Sequence, residues 1–304
     1  YMGRDDIYQK LDPSISTEFD GYDTLEEDAT IKALVFLSDE EGKGSICEKV
    51  TAGQKAAIIT DRTPFYGTMG GQQGDQGEIS GDNALFLVDE AIHLQGGKIA
   101  HLGVVEEGEF SVSEKVHLSV NEEVRNLTAR NHTATHLLQK ALKTVLGSHV
   151  EQAGAYYDDK RLRFDFTHFT ALTKEELKKV EELVNEEIAR GDDVKTEEMS
   201  LEEAKKSGAT ALFGEKYGDL VRVVSVGDFS VELCGGTHVS QSGSIQGFKI
   251  LSEQGIAAGV RRIEALTSRN LFDYFQKEEN LVKELSGKLK SDPEHLLQKV
   301  ESLE

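Results

Sequence analysis

Two short segments of this chain carry histidine and cysteine residues at spacings that suit a metal ion. His132 and His136 lie in a stretch with helical periodicity, and their i, i+4 spacing places both imidazoles on one face of the predicted helix. Cys234 and His238 have the same spacing, but the two glycines between them predict a loop. If the two segments meet in the fold, they supply one thiolate and three imidazoles, which are ligand types that zinc prefers.

Other chemistry associated with such motifs fits this sequence less well. Thr133 stands where an HExxH metalloprotease has its glutamate base, so peptide hydrolysis is not favoured. A lone HxxxH or a lone CxxxH is also common as a surface pair without a metal. The chain has only 2 cysteines, Cys47 and Cys234, and one of them lies in the second motif. The two motifs together therefore favour a zinc site.

The composition limits the class of protein. Among 304 residues, 55 are acidic and 34 are basic, which argues against a general phosphate-binding surface. Two cysteines are too few for a disulfide framework, which fits a reducing cytosol and predicts a cytoplasmic protein. The sequence shows neither a signal peptide nor an apolar run long enough to span a membrane. Its two ends predict that the chain is a piece of a longer protein.

Any contact with nucleic acid must therefore use local basic patches. Clusters of cationic residues predict two candidate patches, which are Arg125, Arg130, Lys140 and Lys143, and Lys160, Arg161 and Arg163. Such clusters are often solvated surface without a partner.

The elements that position the two motifs follow from the spacing of apolar residues. Between residues 31 and 120, short alternating runs separated by polar or glycine turns predict a small closed barrel or a sandwich. The predicted strands are residues 31–37, 56–60, 84–94, 99–105 and 115–120. From 121 to 266, helices and hairpins predict an α+β domain in which helices cover one face of an antiparallel sheet. Residues 1–30 are predicted as a lead-in segment and residues 267–304 as a helical arm.

Local signals place the ends of several of these elements. Asn131 is predicted to break the helix 122–130 and to act as a new N-cap before His132. Thr173 with Glu176 forms a capping box at the start of a later helix. Strands 220–226 and 229–233 are predicted to deliver the cysteine-bearing loop.

A glycine-rich segment lies within the predicted barrel. Gly70, Gly71, Gly74 and Gly77 permit positive φ angles and a close approach of the backbone to another group. The segment lacks the Gly-Lys-Ser/Thr of a P-loop, and it contains no GxGxxG pattern. It is either a flexible hairpin loop or a ligand-contacting loop.

Four motifs, taken together and in this order, resemble the editing region of alanyl-tRNA synthetases. They are Gly-Gly-Gln-x-Gly-Asp-x-Gly at 70–77, His-Thr-Ala-Thr-His-Leu-Leu at 132–138, Arg-Phe-Asp-Phe at 163–166 and Glu-Leu-Cys-Gly-Gly-Thr-His at 232–238. The resemblance covers most of the chain. It implies a small β-barrel domain, a zinc-containing editing domain with an antiparallel sheet, and the start of a helical linker arm. The motifs of the aminoacylation domain are not found, so the resemblance does not imply activation of alanine.

The resemblance also implies roles for individual residues. It implies that the zinc ligands are His132, His136, Cys234 and His238. It implicates Gln152 in hydrolysis and Thr135 in choosing the substrate, and its motif positions imply substrate binding by Thr135, Gly70, Gly71, Arg163 and Asp165. The implied reaction is hydrolysis of the ester that joins serine or glycine to the 3′ adenosine of alanine tRNA.

Several alternatives stay open at this level. An editing hydrolase could act in cis within a synthetase or in trans as a free-standing deacylase. The chain could instead be a zinc-stabilised tRNA-binding module without catalysis, or a structural scaffold. Four protein ligands would make a tetrahedral zinc structural, whereas expansion or exchange would let it contact substrate or water. Cys234 as a covalent nucleophile is a rival mechanism that zinc binding disfavours.

Overall fold

The computed structural model describes residues 7–40, 43–212 and 216–304. Residues 1–6 of the predicted lead-in segment therefore lie outside the described residues. The first part of the chain contains the strands β1 (Glu18–Phe19), β2 (Glu26–Phe36), β3 (Ser45–Cys47), β4 (Lys49–Thr51), β5 (Lys55–Thr60), β6 (Arg62–Thr63), β7 (Gly77–Gly81), β8 (Ala84–Leu94), β9 (Lys98–Glu107), β10 (Glu109–Ser111) and β11 (Lys115–Val120).

Six of these strands close into an antiparallel barrel. Their order is β11-β7-β8-β9-β5-β2, and β11 pairs back onto β2 to complete the ring. Register shifts in β2 and β8 bend these strands, as closure of a small barrel requires. Fully buried Phe65, Phe86 and Phe110 fill the interior. The prediction of a small β-barrel is confirmed, although β2 begins earlier than residue 31 because its first residues pair with β11.

The segment before β2 packs on the outside of the barrel. Tyr8 and Leu11 are buried in a second apolar cluster with Val35, Ala57 and Ile59. This packing explains why Ala56 to Thr60 of β5 are all buried, with one face toward the barrel interior and the other toward this segment. Short β1 pairs in parallel with β6 and holds the segment in place.

A second group of elements follows the barrel. It consists of α1 (Glu122–Leu146), β12 (Gln152–Tyr157), β13 (Leu162–Thr167), α2 (Lys174–Arg190), β14 (Val194–Ser200), α3 (Leu201–Lys206), β15 (Leu220–Val226), β16 (Ser230–Leu233), β17 (Phe248–Ala257), β18 (Val260–Thr267), α4 (Ser268–Leu289) and α5 (Leu296–Glu301). Two 3₁₀ turns, Ser242–Ile245 and Pro293–His295, lie between them.

Helix α1 is continuous through the predicted break. Its N-cap is Asn121, whose side chain accepts a hydrogen bond from the backbone N–H of Val124 at 3.1 Å. The prediction of an N-cap at Asn131 is wrong, because the amide of that buried side chain is used in tertiary contacts. It donates to the carbonyl of Asp158 at 2.8 Å and accepts from the hydroxyl of Thr267 at 2.6 Å. The predicted capping box of Thr173 and Glu176 is present at the start of α2.

Two antiparallel sheets complete the α+β architecture. The larger has the order β12-β13-β18-β17, and the smaller has the order β14-β15-β16. Leu137 and Leu138 of α1 share one buried core with Val180 of α2 and with Phe164 and Phe166 of the larger sheet. The loop that carries Cys234 follows β16 directly, as predicted. The predicted antiparallel sheet with packed helices is confirmed.

The C-terminal arm is helical, as predicted. Helix α4 buries Leu271 near its start and then exposes a row of apolar side chains that includes Phe272, Phe275 and Leu281. No helix in the described part of the chain combines the length and apolar character that crossing a membrane requires.

Candidate metal centre

The two predicted ligand segments meet between α1 and the loop after β16. One ligand atom from each of His132, His136, Cys234 and His238 lies within 4.8 Å of the other three. The thiol sulfur of Cys234 is 3.2 Å from Nε2 of His132 and 3.3 Å from Nε2 of His238. Ligand atoms around a tetrahedral zinc lie roughly 3.3–3.7 Å apart, so this donor set has the size of a single-ion site.

In His132 and His238, the second ring nitrogen is positioned by a neutral side chain. Nδ1 of His132 is 2.8 Å from the amide oxygen of Gln72, and Nδ1 of His238 is 2.9 Å from the hydroxyl of Thr133. A proton on Nδ1 of His132 leaves its Nε2 lone pair directed toward the cluster, as a metal ligand requires. Among the described residues, buried Nδ1 of His136 has no hydrogen-bond partner, so a bound cation would satisfy a ring that is otherwise incompletely paired.

Burial keeps the three imidazoles neutral. It lowers the pKa of His136 to about 3 and holds the pKa values of His132 and His238 well below their ordinary range. The guanidinium of Arg222 adds to each of these shifts. Neutral imidazole is the form that binds a metal ion. Burial therefore keeps all three rings in the form that a metal ligand requires.

The loop that carries Cys234 can approach α1 because its residue 236 is glycine. A Cβ atom on Gly236 would lie 2.1 Å from Cε1 of His132, so a larger residue could not occupy this position without moving the ring. Arg222 of β15 donates to the carbonyls of Cys234 at 3.1 Å and Gly236 at 2.6 Å. The hydroxyl of Tyr22, from the lead-in segment, donates to the carbonyl of Gly235. The ligand loop is therefore held from both sides.

The glycine-rich segment of the barrel region is a tight turn docked on the metal cluster. Met69 and Gln72 exchange backbone hydrogen bonds of 3.0 and 3.1 Å around Gly70 and Gly71, whose φ angles are +61° and +92°. Two positive φ angles in a two-residue loop are typical of a type I′ turn. The backbone of Tyr157 in β12 bonds to the carbonyl of Gly71 at 2.9 Å, which fixes the turn against the larger sheet.

Gln72 links this turn to both ligand segments. Its fully buried amide oxygen accepts from the backbone N–H of Thr237 at 2.9 Å and faces His132, and its amide nitrogen donates to the hydroxyl of Thr237 at 2.7 Å. Gln72 was not among the site residues predicted from the sequence. Its place in the glycine motif was the available signal, but no local pattern pointed to an imidazole 60 residues away.

Removal of the Gln72 side chain is expected to weaken metal binding without unfolding the chain. In Gln72→Ala, both Nδ1 of His132 and the N–H of Thr237 lose their acceptor, and loss of such an outer partner lowers metal affinity about 10–100-fold. Gln72→Glu retains an acceptor and should lose much less. Competition with a chromophoric chelator measures the affinities.

The matched control for this experiment is Gln76→Ala, since Gln76 is an exposed residue of the same segment. Equal zinc affinity in Gln72→Ala and Gln76→Ala would rule out a positioning role for Gln72.

A cavity of about 360 Å³ adjoins the metal cluster. His132, His136 and Cys234 line it, together with three residues implicated by the resemblance, Thr135, Gln152 and Gly70. The hydroxyl of Thr135 donates within α1 to the carbonyl of Asn131 at 2.8 Å, which leaves its lone pairs available to accept. The cavity is within the size range of small-ligand sites.

The predicted ligand His238 and three predicted substrate-binding residues are not among those that line this cavity. A Cβ on Gly71 would lie 2.5 Å from the carbonyl oxygen of Ala155, so this glycine permits close packing on β12. Arg163 lies over the ring of Tyr156 at 5.6 Å. Asp165 accepts from the guanidinium of Arg262 at 2.8 and 3.1 Å within the larger sheet.

Glu232 is a cavity-lining carboxyl group that was not among the site residues predicted from the sequence. Its side chain lies 3.4 Å from Nε2 of His136, and burial raises the pKa of Glu232 to about 8. It is the first residue of the motif that ends in His238, yet its burial depends on packing between β16 and α1. A buried carboxyl beside the ligands can accept or donate a hydrogen bond near pH 7.

The first predicted basic patch includes a residue, Arg125, that is not on the surface. Arg125 is buried and pairs with Asp75, with both carboxylate oxygens 3.0 Å from its Nε. It also donates to the carbonyls of Gly21 at 2.7 Å and Pro64 at 2.8 Å. Its inclusion in a patch that contacts nucleic acid is therefore wrong. This guanidinium instead connects the first turns of α1 to the glycine-rich segment.

Two family models match parts of this chain. The model described as tRNA synthetases class II (A) matches residues 4–124, which include the barrel. The model described as the threonyl and alanyl tRNA synthetase second additional domain matches residues 221–264, which include Cys234 and His238.

Curated relatives match the chain over 98–100% of its length. Alanine–tRNA ligase 1 of Lachnoclostridium phytofermentans is 55% identical over 305 aligned positions, which cover 100% of this chain and 34% of that protein. The alanine–tRNA ligase of Acetivibrio thermocellus is 48% identical, with coverage of 98% and 33%, and that of Clostridioides difficile is 46% identical, with coverage of 99% and 33%. The chain thus spans about a third of the length of these relatives. The resemblance to alanyl-tRNA synthetases inferred from the four motifs is confirmed, and along its whole length this chain is homologous to a region that makes up about a third of these proteins.

Proposed function

We propose that this chain is the editing part of an alanyl-tRNA synthetase and hydrolyses alanine tRNA that carries serine or glycine. The observation that supports this most directly is a single cavity lined by three of the four candidate metal ligands and by Thr135 and Gln152. The partner is tRNA, and we place the activity in the cytoplasm, where aminoacyl-tRNA is used. Editing in cis is favoured because the matched relatives are named as alanine–tRNA ligases.

A physical limit of amino-acid recognition explains why such an enzyme needs a second site. A synthetic pocket sized for alanine cannot strongly exclude smaller glycine, and one hydroxyl group makes serine only slightly harder to accommodate. Differences of this kind are worth about 1–3 kcal/mol. A second pocket can instead accept a serine hydroxyl and disfavour alanine, because alanine would leave the polar groups of the pocket without a partner.

We propose that Thr135 is the residue that distinguishes between the side chains of the bound amino acids. It is 3% exposed and lies on the helix that carries His132 and His136. Since its own proton is donated to the carbonyl of Asn131, its oxygen can accept a hydrogen bond from the hydroxyl of a bound serine. Glycine would be admitted by its small size alone.

Gln152 is the residue we propose to orient the attacking water. An amide is a poor base, so it positions the water through hydrogen bonds and does not remove its proton. The water oxygen bonds to the ester carbonyl carbon, the bond from that carbon to the ribose 3′ oxygen breaks, and a proton passes to the ribose oxygen. The products are the free amino acid and tRNA with a 3′ hydroxyl. An aminoacyl ester is already activated, so positioning contributes much of the rate.

Zinc is the metal that the donor set of one thiolate and three imidazoles fits best. Held by His132, His136, Cys234 and His238, it would supply positive charge at the wall of the cavity and hold α1 and the Cys234 loop together. The four side chains are then committed to binding, which argues against Cys234 as a covalent nucleophile.

The proposal is tested by single-turnover hydrolysis of alanine tRNA esterified with serine, glycine or alanine, measured side by side with the zinc-loaded chain. Hydrolysis of the serine and glycine esters well above the buffer rate, with the alanine ester spared, is the expected result. Binding of the charged tRNA without any hydrolysis would instead identify a non-catalytic tRNA-binding module.

Substitution of Thr135 by valine is expected to reduce the preference for serine over alanine about 10–100-fold. The change keeps the shape of the side chain but removes one buried hydrogen bond, which is worth about 1.4–2.7 kcal/mol when its partner is left unpaired. The ratio of single-turnover rates for the two esters measures the effect.

Thr144→Val is the matched control. Thr144 lies on the exposed side of α1, and its hydroxyl donates within the helix to the carbonyl of Lys140 at 2.8 Å, as Thr135 donates to Asn131. The control should retain the wild-type ratio. The same loss of preference in both variants would mean that the helix, and not the cavity wall, is responsible.

A further inference from the structure

Two large apolar side chains are exposed at the cavity beside the metal cluster. Met69, in the tight turn, is 53% exposed, and Leu220, at the start of β15, is 65% exposed. Both line the same cavity as Thr135 and Gln152. We propose that Met69 and Leu220 form a contact site for the adenine base of the 3′-terminal adenosine. This inference rests on the proposed function and names the part of the substrate that the editing roles leave without a binding site.

The backbone of Met69 is held firmly although its side chain is exposed. Its backbone closes the type I′ turn with Gln72, and its carbonyl accepts from the hydroxyl of Tyr66 at 3.3 Å. The hydroxyl of Tyr157 donates to the neighbouring carbonyl of Gly70 at 2.9 Å. Because this backbone is already fixed, contact with a ligand restricts only the side-chain torsions of Met69 and does not have to order the turn.

Leu220 lies at the start of β15, in the group of elements that follows the barrel. It pairs with Ser200 across β14 and β15, and the next residue, Val221, is 7% exposed and also lines the cavity. The barrel region thus contributes Met69 to the cavity wall, and the strand β15 contributes Leu220 and Val221. An occupant that contacts both sides must have a broad apolar surface.

The adenine base matches this surface better than the other parts of the proposed substrate. Serine and glycine are small and polar, and the buried hydroxyl of Thr135 already provides their contact. A ribose and a phosphate are polar, and exposed Lys216, which also lines the cavity, suits the phosphate that precedes the adenosine. The base is the flat, largely apolar part, and contact with apolar side chains stabilises an unpaired base.

The inference is tested by equilibrium binding of two non-hydrolysable analogues to the zinc-loaded chain. In these analogues, an amide joins serine to the 3′ position of adenosine or of cytidine. Because the purine ring of adenine offers a larger apolar face than the pyrimidine ring of cytosine, the wild-type chain is expected to bind the adenosine analogue about tenfold more tightly. The variant Met69→Ala/Leu220→Ala should lose most of this preference and bind the cytidine analogue nearly as the wild type does.

Leu297→Ala is the control, because Leu297 is 79% exposed on α5 and does not line the cavity. It should retain the full preference for adenosine. Equal binding of the two analogues by the wild-type chain, or an unchanged preference in the double variant, would overturn the inference. Since binding is measured without hydrolysis, a chain that prefers adenosine yet hydrolyses no serine ester would contradict the proposed function and leave the base contact standing.

Discussion

Substitution of Cys234 by alanine is expected to lower bound zinc from about one ion per chain to a small fraction of one. The sulfur lies beside Nε2 of both His132 and His238, so its removal takes away the one anionic ligand and leaves neutral imidazoles in a buried site. Structural zinc sites are worth about 10–16 kcal/mol, so loss of one of four ligands should weaken affinity roughly 100–1000-fold. Elemental analysis after dialysis measures the content.

Cys47→Ala supplies the matched control for this substitution. Cys47 is half-buried in β3, at the edge of the barrel, and its sulfur is 3.8 Å from the carbonyl of Leu34. This variant should retain full zinc content and full hydrolysis of the serine ester, whereas Cys234→Ala should lose both. Unaltered zinc content in Cys234→Ala would exclude the Cys/His₃ site.

Chelation adds a second readout for the same site. Treatment with EDTA should lower the thermal midpoint of the wild-type chain, because ion binding to the folded state alone stabilises that state. The midpoint of Cys234→Ala should respond little to the same treatment. Equal responses of the two proteins would place the stabilising ion elsewhere.

Substitution of Arg125 by methionine is expected to lower the free energy of unfolding by about 3–5 kcal/mol. The change leaves the carboxylate of Asp75 buried without its cation, and breaking a buried pair from one side has an effect of this size. Two carbonyls, those of Gly21 and Pro64, also lose their donor. The thermal midpoint should fall by roughly 6–20 °C, measured by calorimetry and by denaturant titration.

The double variant Arg125→Met/Asp75→Asn tests whether the charge left behind is the cause. Removal of both charges should restore part of the stability, so the two single effects should sum to more than the effect of the double variant. Lys178→Ala is the surface control, since Lys178 and Glu182 are 78% and 58% exposed and 3.9 Å apart. It should change the free energy of unfolding by no more than about 0.5 kcal/mol. A similar small effect for Arg125→Met would contradict the role given to the buried pair.

The Arg125 variant should also weaken metal binding, which links the two predictions. Asp75 accepts from the backbone N–H of Tyr66 at 2.8 Å, so the ion pair holds the segment that carries Gln72. When that segment loosens, His132 loses its outer partner. A stability loss with unchanged zinc affinity would show that the turn is held by its backbone bonds to β12 alone.

Sequence by itself determined the elements whose signals are local. The i, i+4 spacing of His132 and His136 places both imidazoles on one face of a helix. The glycines before His238 place the other two ligands in a loop. Strand alternation identified five of the six barrel strands but not β7 in the glycine-rich region, and β8 and β11 begin and end where predicted. Four ordered motifs were enough to identify the family, because each combines several residue types at fixed spacing.

Only the tertiary structure decided which distant groups complete the site. Asn131 has a good side chain for an N-cap, yet its amide bonds to Asp158 and Thr267 outweigh that local preference and α1 continues. Arg125 looks like a surface cation in sequence but is buried against Asp75, and Gln72 reaches His132 from the barrel. Such pairings arise from closure of long loops and from the burial of polar groups that must then find partners. Neither is encoded in the spacing of neighbouring residues.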